Sequence, residues 1–223
     1  MEVNPHFTFQ AVAFDLDGTL IDSHVAMMRS YERWTLEYDL DIAEIPGWLG
    51  MPNIALAEHF VPHDAVAAAR RIEHLETVDT DGVVALPGSR LAFDVLPRPR
   101  YGIGTSCTWD LLSARIKAAG LDMPNVAVSR DQVTHGKPSP DTYLEVAARL
   151  GVDPTDLIVF EDAPAGVQAA RAAGSQVIGI TSTMTAAELG ADAHIPDLSH
   201  VQWHVDGPGL GLSISQPADA FAG

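Results

Sequence analysis

The chain has 223 residues, of which 47% are hydrophobic and 19% charged, and this composition excludes an intrinsically disordered chain. Thirty acidic residues against thirteen Lys and Arg give a net charge of −17, which excludes nucleic-acid binding through a basic face. The single cysteine, Cys107, excludes an intramolecular disulfide and a Cys/His structural zinc site.

Short apolar runs predict a set of buried strands. The first, AVAF at residues 11–14, leads directly into the polar sequence DLDGT at residues 15–19. Further runs of this kind cover residues 101–104, 126–128, 157–160 and 176–180. A glycine suited to a C-cap follows each of three helical stretches, at residues 111–119, 141–150 and 165–173. This alternation predicts an α/β fold with a doubly wound, Rossmann-like parallel sheet.

The interval between the first strand and the rest of the sheet is helical. Its three helix-like stretches cover residues 24–38, 53–60 and 64–77. We expect a small, all-helical cap over residues 20–85, inserted into a core formed by residues 1–19 and 86–203. Residues 204–223 are rich in Gly, Ser, Pro and Ala, and this composition predicts a flexible tail.

Two carboxylates, Asp15 and Asp17, stand where the first strand ends. Carboxylates this close repel each other, so a neutralising cation is their natural companion. Gly18 lets the chain turn sharply beside a ligand. A DxD sequence taken alone is more often a solvated acidic turn, so the rest of the chain must decide between the two readings.

Three further segments carry suitable chemistry at predicted strand ends or helix starts. They are Thr105-Ser106, GKPSPD at residues 136–141 and FEDAPAG at residues 160–166. In an open parallel sheet, the loops at the carboxyl ends of the strands gather at one edge, where ligands bind. The combined set of carboxylates, a hydroxyl and Lys137 suits a phosphate group held with a divalent metal.

These segments resemble, in order, the four signature motifs of the haloacid dehalogenase-like hydrolase superfamily, and the resemblance covers about residues 10–200. The helical insertion corresponds to the mobile cap of that family, which implies hinges near residues 20–23 and 80–87. The sequences DTDGVVALPG at residues 79–88 and FEDAPAG are similar to those of the branch that hydrolyses sugar phosphates and glycerol phosphate.

The resemblance implies a role for each matching residue. Asp15 is the nucleophile that forms an aspartyl-phosphate, and Asp17 is the acid and base. Glu161 and Asp162 hold Mg²⁺ beside the Asp15 carboxylate and the backbone carbonyl of Asp17. An attacking carboxylate divides one slow hydrolysis into two easier steps, which agrees with this assignment.

The remaining roles concern the phosphate group. Thr105 binds the transferring phosphoryl group with the backbone N–H of Ser106, and Lys137 balances the charge of Asp15 and phosphate. The expected substrate is a small phosphorylated sugar, polyol or related metabolite. No apolar run reaches the roughly 18 residues of a membrane span, and a secretory signal is lacking. We therefore expect a cytoplasmic monomer or small homo-oligomer that contacts neither membrane nor nucleic acid.

Related chemistries are weighed against the same residues. A dehalogenase lacks the second aspartate and the metal, and a phosphonoacetaldehyde hydrolase needs a cap lysine, which residues 20–86 do not contain. A β-phosphoglucomutase carries a cap histidine where this chain has Met27, and a cap arginine after a glycine where it has Met51 and Pro52. The mutase, a phosphoglycolate-type phosphatase and a non-catalytic binding protein stay open as alternatives.

Several cap residues are candidates for the face toward the substrate, although each is more often a packing residue: His24, Tyr31, Trp34, Trp48, Met51 and Asn53. Cys107 lies near the predicted phosphate loop without a recognisable histidine partner. We expect it to be a buried thiol and not a nucleophile.

Overall fold

The computed structural model describes residues 6–48, 52–205 and 209–214. Eleven strands run through this part of the chain. They are β1 (His6–Phe9), β2 (Ala11–Phe14), β3 (Ile21–Asp22), β4 (Val84–Ala85), β5 (Tyr101–Gly104), β6 (Val126–Val128), β7 (Leu157–Glu161), β8 (Gln176–Ile180), β9 (Ala193–Ile195), β10 (Val201–His204) and β11 (Leu210–Ile214). Six of them form a parallel sheet in the order β6-β5-β2-β7-β8-β9, which confirms the predicted fold class.

Helices cover both faces of this sheet. The α-helices of the described residues are α1 (His24–Glu37), α2 (Asn53–Phe60), α3 (Ala65–Val78), α4 (Ser89–Val95), α5 (Trp109–Ala118), α6 (Asp141–Leu150), α7 (Pro164–Ala173) and α8 (Ala186–Leu189). Successive residues of β2 point to opposite faces: Val12 and Phe14 pack in one buried cluster with α4 and α5, and Ala11 and Ala13 in another with α6 and α7. None of the helices described is long and apolar enough to cross a membrane.

The cap consists of α1, α2 and α3, which lie between β3 and β4. These two short strands pair antiparallel, Ile21 with Ala85 and Asp22 with Val84, and thereby bring the two crossings of the chain side by side. The cap has an apolar core of its own, in which the indole N–H of the fully buried Trp34 donates to the carbonyl of Ala68 (3.1 Å). The cap therefore has a core of its own, and it is connected to the rest of the described chain by this two-stranded neck and by contacts between α3 and α5.

The predicted flexible tail is wrong where the structure describes it. Leu210–Ile214 forms β11, the central strand of an antiparallel sheet in the order β1-β11-β10. Leu210, Leu212 and Ile214 are buried in the same cluster as Val12 and Phe14, because their spacing of two puts them on one face of the strand. The Gly- and Ser-rich composition concealed this alternation. The rest of the predicted tail, residues 206–208 and 215–223, lies outside the described residues.

The buried position of β11 leads to a stability prediction. Leu212→Ala should lower the free energy of unfolding by about 2–5 kcal/mol, because a fully buried leucine leaves a cavity when truncated. Leu36→Ala is the matched control, since Leu36 is 82% exposed and its loss should be nearly neutral. Urea denaturation monitored by circular dichroism measures both. Equal, small effects would show that β11 is not part of the folded core.

Candidate active site

The site lies at the carboxyl ends of three neighbouring strands. Asp15 follows β2, Thr105 follows β5, and Glu161 is the last residue of β7. Because β2 pairs with β5 on one side and with β7 on the other, all parallel, these strand ends meet at one edge. The sequence predicted this gathering from the position of each polar segment directly after an apolar run.

Lys137 joins two of the predicted carboxylates. Its ammonium donates to Asp15 Oδ1 and Glu161 Oε1, both at 2.6 Å, and to the carbonyl of Gly104 at 2.9 Å. Its side chain is only 5% exposed, and the nitrogen lies 5.0 Å from the ring centroid of Tyr143, whose hydroxyl donates to the same Glu161 oxygen (2.6 Å). The three donors of the ammonium are thus all used, which fixes the Asp15 carboxylate in one orientation.

The electrostatics of this cluster depend on burial. Burial disfavours the charged ammonium of Lys137, but Asp15 and Glu161 outweigh it and raise its pKa well above the ordinary value. Burial raises the pKa of Asp15 against the attraction of Lys137, and Glu161 and Asp162 raise it further. Burial and the charge of Glu161 raise the pKa of Asp162 to about 7. Three carboxylates therefore share the positive charge of one lysine, which is too little to neutralise all three.

A divalent cation fits this cluster. Asp15, Glu161 and Asp162 each offer a carboxylate oxygen, and these atoms lie within 4.8 Å of one another. Hard divalent cations prefer oxygen ligands of this kind. The hydroxyl of Thr183 fixes Asp162 by donating to Oδ2 (2.8 Å), and Gly18 approaches this carboxylate so closely that a Cβ there would overlap it. The carboxylate oxygens that would bind a cation are thus buried and held in position, and nearby positive charge does not neutralise them fully.

Asp17 takes part in a different set of contacts. Its Oδ1 accepts a hydrogen bond from the Ser23 hydroxyl (2.5 Å), and its Oδ2 from Arg115 (2.8 Å) and the Cys107 thiol (3.1 Å). The side chain of Asp17 is 29% exposed, whereas that of Arg115 is 5% exposed. Asp17 is therefore oriented by the core and by the start of the cap, with one side open to solvent.

Sequence reasoning missed Arg115 and its second partner, Glu76 of the cap. The two side chains form a buried ion pair of 2.8 Å, and Asn53 donates to the other oxygen of Glu76 (2.9 Å). A signal was present in the sequence: Arg115 stands among Leu111, Leu112 and Ile116, and Glu76 follows Leu75. A charge on the apolar face of a helix needs a buried partner, and the two helices supply opposite charges.

The predicted phosphate loop follows β5. Thr105 is buried, its hydroxyl accepts from the backbone N–H of Cys107 (3.1 Å), and its own N–H donates to Val128 (3.0 Å). Ser106 is exposed beside it. Burial, and next the charge of Asp17, raise the pKa of Cys107 well above its ordinary value, so the thiol stays protonated. This supports the prediction that Cys107 is not a nucleophile.

A cavity of about 230 Å³ separates this loop from the cap. Ser106, Cys107, Thr108 and Leu111 line it on the core side. The cap contributes a mixed apolar and polar face: Pro52, Asn53, Ile54, Val66, Ala69, Arg70 and Glu73. A larger cavity of about 650 Å³ adjoins it and shares Arg70, Glu73 and Thr108 as lining residues.

The candidates for the substrate-facing side of the cap separate into groups. Trp34 is buried in the core of the cap, and His24 is exposed. Tyr31 donates to Asn53 (3.2 Å), and Asn53 borders the cavity. The side chain of Trp48 and the whole of Met51 lie outside the described residues. Asn53 is thus the candidate that the described structure places at the cavity.

Comparison with known proteins agrees with this geometry. The family model described as "Haloacid dehalogenase-like hydrolase" matches residues 12–180. Hexitol phosphatase A of Escherichia coli is 39% identical over 176 residues, which are 76% of this chain and 82% of that protein. Fructose-1-phosphate phosphatase of the same organism is 31% identical, over 77% of this chain and 96% of its own.

Solved structures show the same relationship. A HAD hydrolase of family IA, variant 3, from Entamoeba histolytica superposes with a TM-score of 0.76 at 28% identity, and covers 86% of this chain and 95% of its own. The matched region contains all four predicted motifs, from Asp15 to Asp162. The chain therefore belongs to the haloacid dehalogenase-like hydrolase family and to the sugar-phosphate phosphatase branch that its motifs predicted.

Proposed function

We propose that this hydrolase is a Mg²⁺-dependent phosphatase that removes the phosphate of a small phosphorylated sugar or polyol through an aspartyl-phosphate on Asp15. The observation that carries the proposal is the buried ammonium of Lys137 between Asp15 and Glu161, at 2.6 Å from each. The names of the hexitol and fructose-1-phosphate phosphatases support the substrate class.

The first step transfers the phosphoryl group to the protein. An oxygen of Asp15 forms a bond to phosphorus while the bond between phosphorus and the leaving oxygen breaks. Asp17 gives its proton to that oxygen, and the product alcohol leaves. Thr105 and the backbone of Ser106 hold the transferring group, and Lys137 balances its charge. Positioning and charge neutralisation supply most of the catalysis in phosphoryl transfer.

The second step restores Asp15. Asp17, now a carboxylate, takes a proton from water as the water oxygen attacks phosphorus, and inorganic phosphate leaves. When bound at Asp15, Glu161 and Asp162, Mg²⁺ would neutralise negative charge on the phosphate oxygens. Lys137 occupies one oxygen of Glu161, whose Oε2 accepts a longer hydrogen bond from the backbone N–H of Ala163 (3.3 Å).

The cap favours a phosphatase over a mutase. Met27 stands where the mutases carry a histidine, and it packs against the apolar core of the cap. A thioether can neither donate nor accept a proton in the way that an imidazole does. A phosphoglycolate-type phosphatase would differ from the proposed enzyme only in the alcohol released, so a substrate panel distinguishes the two.

The substrate panel contains hexitol phosphates, fructose 1-phosphate, glycerol phosphates, phosphoglycolate, nucleoside monophosphates and a phosphopeptide. Phosphate release with Mg²⁺ should be fastest for a polyol or sugar phosphate. Asp15→Asn should lower the rate of phosphate release at least about 10³-fold, because the amide is not a nucleophile. Asp122→Asn is the control and should leave this rate unchanged, because the Asp122 side chain is 87% exposed. A preference for the phosphopeptide, or robust turnover by Asp15→Asn, would contradict the proposal.

The raised pKa of Asp162 predicts a pH-dependent metal affinity. Below about pH 7 a cation must displace a proton from this carboxyl, so Mg²⁺ binding should weaken by up to tenfold per pH unit as the pH falls. Titration calorimetry at about pH 6 and pH 8 measures the change. Asp162→Asn should bind Mg²⁺ weakly at both pH values, and its two dissociation constants should differ less than those of the unaltered chain. Equal dissociation constants for the unaltered chain would refute proton competition at this site.

Asp17 should matter in proportion to how poor the leaving group is. Asp17→Asn should lower the rate at which an alkyl phosphate phosphorylates Asp15 by roughly 10²–10⁴-fold, since an alkoxide needs the proton. The loss should be far smaller for phosphorylation by p-nitrophenyl phosphate, whose phenolate leaves unprotonated. Because hydrolysis of the aspartyl-phosphate needs Asp17 with either substrate, the test measures the release of alcohol or phenol in a single turnover by rapid quench. Equal losses would indicate that Asp17 acts through the shape of the site and not through its proton.

A further inference from the structure

Two adjoining cavities lie between the cap and the core beside the phosphate loop. The inner cavity, of about 230 Å³, is lined by Ser106 and Thr108, and the outer cavity, of about 650 Å³, by Thr108 and Trp109. Arg70 and Glu73 of cap helix α3 line both. The chain thus leads from the phosphate loop past the inner cavity to the outer one. Ligand pockets usually enclose about 300–1,000 Å³, so the outer cavity has the size of a ligand site and the inner cavity alone is smaller.

One wall of the outer cavity is an aromatic side chain on a fixed backbone. Trp109 is the first residue of α5 and is 40% exposed. Its backbone N–H donates to Asp131 Oδ1 (3.1 Å), and the N–H of Arg130 donates to the carbonyl of Cys107 (2.8 Å). These contacts join the start of α5 to the segment after β6. An indole at such a place offers a ligand a large apolar face at little cost in conformational entropy.

The charges in the outer cavity disfavour a second anionic group. Glu73, Asp110 and Asp131 bring three carboxylates to it, and Arg70 brings one guanidinium. A second phosphate or a nucleotide would therefore be repelled. The side chains of Arg70 and Glu73 form no hydrogen bond or ion pair with another residue that the structure describes, so both are available to a ligand. The lining suits a neutral group that carries several hydroxyls.

We propose that the outer cavity binds a second sugar ring of the substrate, so that the preferred substrate is a phosphorylated disaccharide or glycosylated polyol. The inference rests on the proposed function and deepens it, because it names the class of alcohol that leaves. A sugar ring has C–H groups on its faces, which pack against the indole of Trp109. It also has hydroxyls at its edge, which donate to carboxylates and accept from a guanidinium. The phosphorylated ring occupies the inner cavity.

Substrates that share one phosphorylated ring test the proposal. Trehalose 6-phosphate, maltose 6′-phosphate and a sucrose phosphorylated on its glucose ring each contain a glucose 6-phosphate unit and a second ring. With Mg²⁺, kcat/KM should be at least roughly tenfold higher for one of them than for glucose 6-phosphate, since only the second ring reaches the outer cavity. Equal or lower values for all three would overturn the proposal, as would a preference for glucose 1,6-bisphosphate.

A substitution at the aromatic wall tests the position of the second ring. Trp109→Ala should lower kcat/KM for the best disaccharide phosphate roughly tenfold and leave that for glucose 6-phosphate within about twofold. Trp109→Phe should recover most of the loss, because it keeps an aromatic face. Leu91→Ala is the control and should change neither value, since Leu91 is 53% exposed on α4 and lines neither cavity.

A merely structural role of Trp109 would lower kcat/KM for both substrates together, and equal losses would overturn its assignment. Should Trp109→Ala fail to fold, His74→Ala decides the question, because His74 of the cap lines the outer cavity and not the inner one. We expect it to lower the ratio of the two values several-fold, and an unchanged ratio would overturn the proposal.

Tryptophan fluorescence supplies a readout that does not depend on turnover. In Asp15→Asn, a disaccharide phosphate should change the emission in a saturable way, and glucose 6-phosphate should change it far less. The double substitution D15N/W109F should remove the difference. An equal response to the two ligands, or a difference that D15N/W109F keeps, would overturn the placement of the second ring.

The two proposals fail in different ways. Hydrolysis of glucose 6-phosphate and hexitol phosphates with no advantage for any disaccharide phosphate would overturn this inference and leave the proposed function standing. A chain that hydrolyses no phosphate ester would overturn the proposed function, and the fluorescence titration would still decide whether the outer cavity binds a second ring.

Discussion

The buried ammonium of Lys137 is the interaction on which the site depends. It lies among Asp15, Glu161 and the carbonyl of Gly104, and without it three carboxylates would share a space from which water is largely excluded. Removing one partner of a buried ion pair typically costs about 3–5 kcal/mol, because the remaining charge stays unpaired. One lysine does not balance three carboxylates, and the remaining deficit is what makes the cluster suitable for a divalent cation.

The core of the fold and the position of the motifs could be predicted from the sequence because each depends on local pattern. Short apolar runs followed by polar turns gave the strands β2, β5, β6, β7 and β8, and parallel order placed their carboxyl ends together. The strand β11 could not be recognised from composition, since its glycine and serine face away from the leucines that hold it in the core. Its pairing with β1 and β10 joins the two ends of the described chain, a contact that no local pattern indicates.

The active site shows the same limit of prediction from local sequence. Asp15, Lys137, Glu161 and Asp162 meet as the motifs predicted. Arg115 and Glu76 lie outside every motif, and their pairing depends on how the cap rests on α5, which is a matter of tertiary packing. The cap therefore does more than cover the site. Its residue Glu76 is linked through Arg115 to Asp17, the proposed acid, while the apolar core of the cap around Trp34 is separate from the core of the sheet.

The most direct test of the account is to identify the residue that carries the phosphoryl group during turnover. The enzyme is mixed with a saturating alkyl phosphate and Mg²⁺, quenched in acid within one turnover, digested, and analysed by mass spectrometry. The account predicts the added mass of one phosphoryl group on Asp15, which Asp15→Asn abolishes. A phosphoryl group on another residue, or turnover without any phosphorylated protein, would contradict the account.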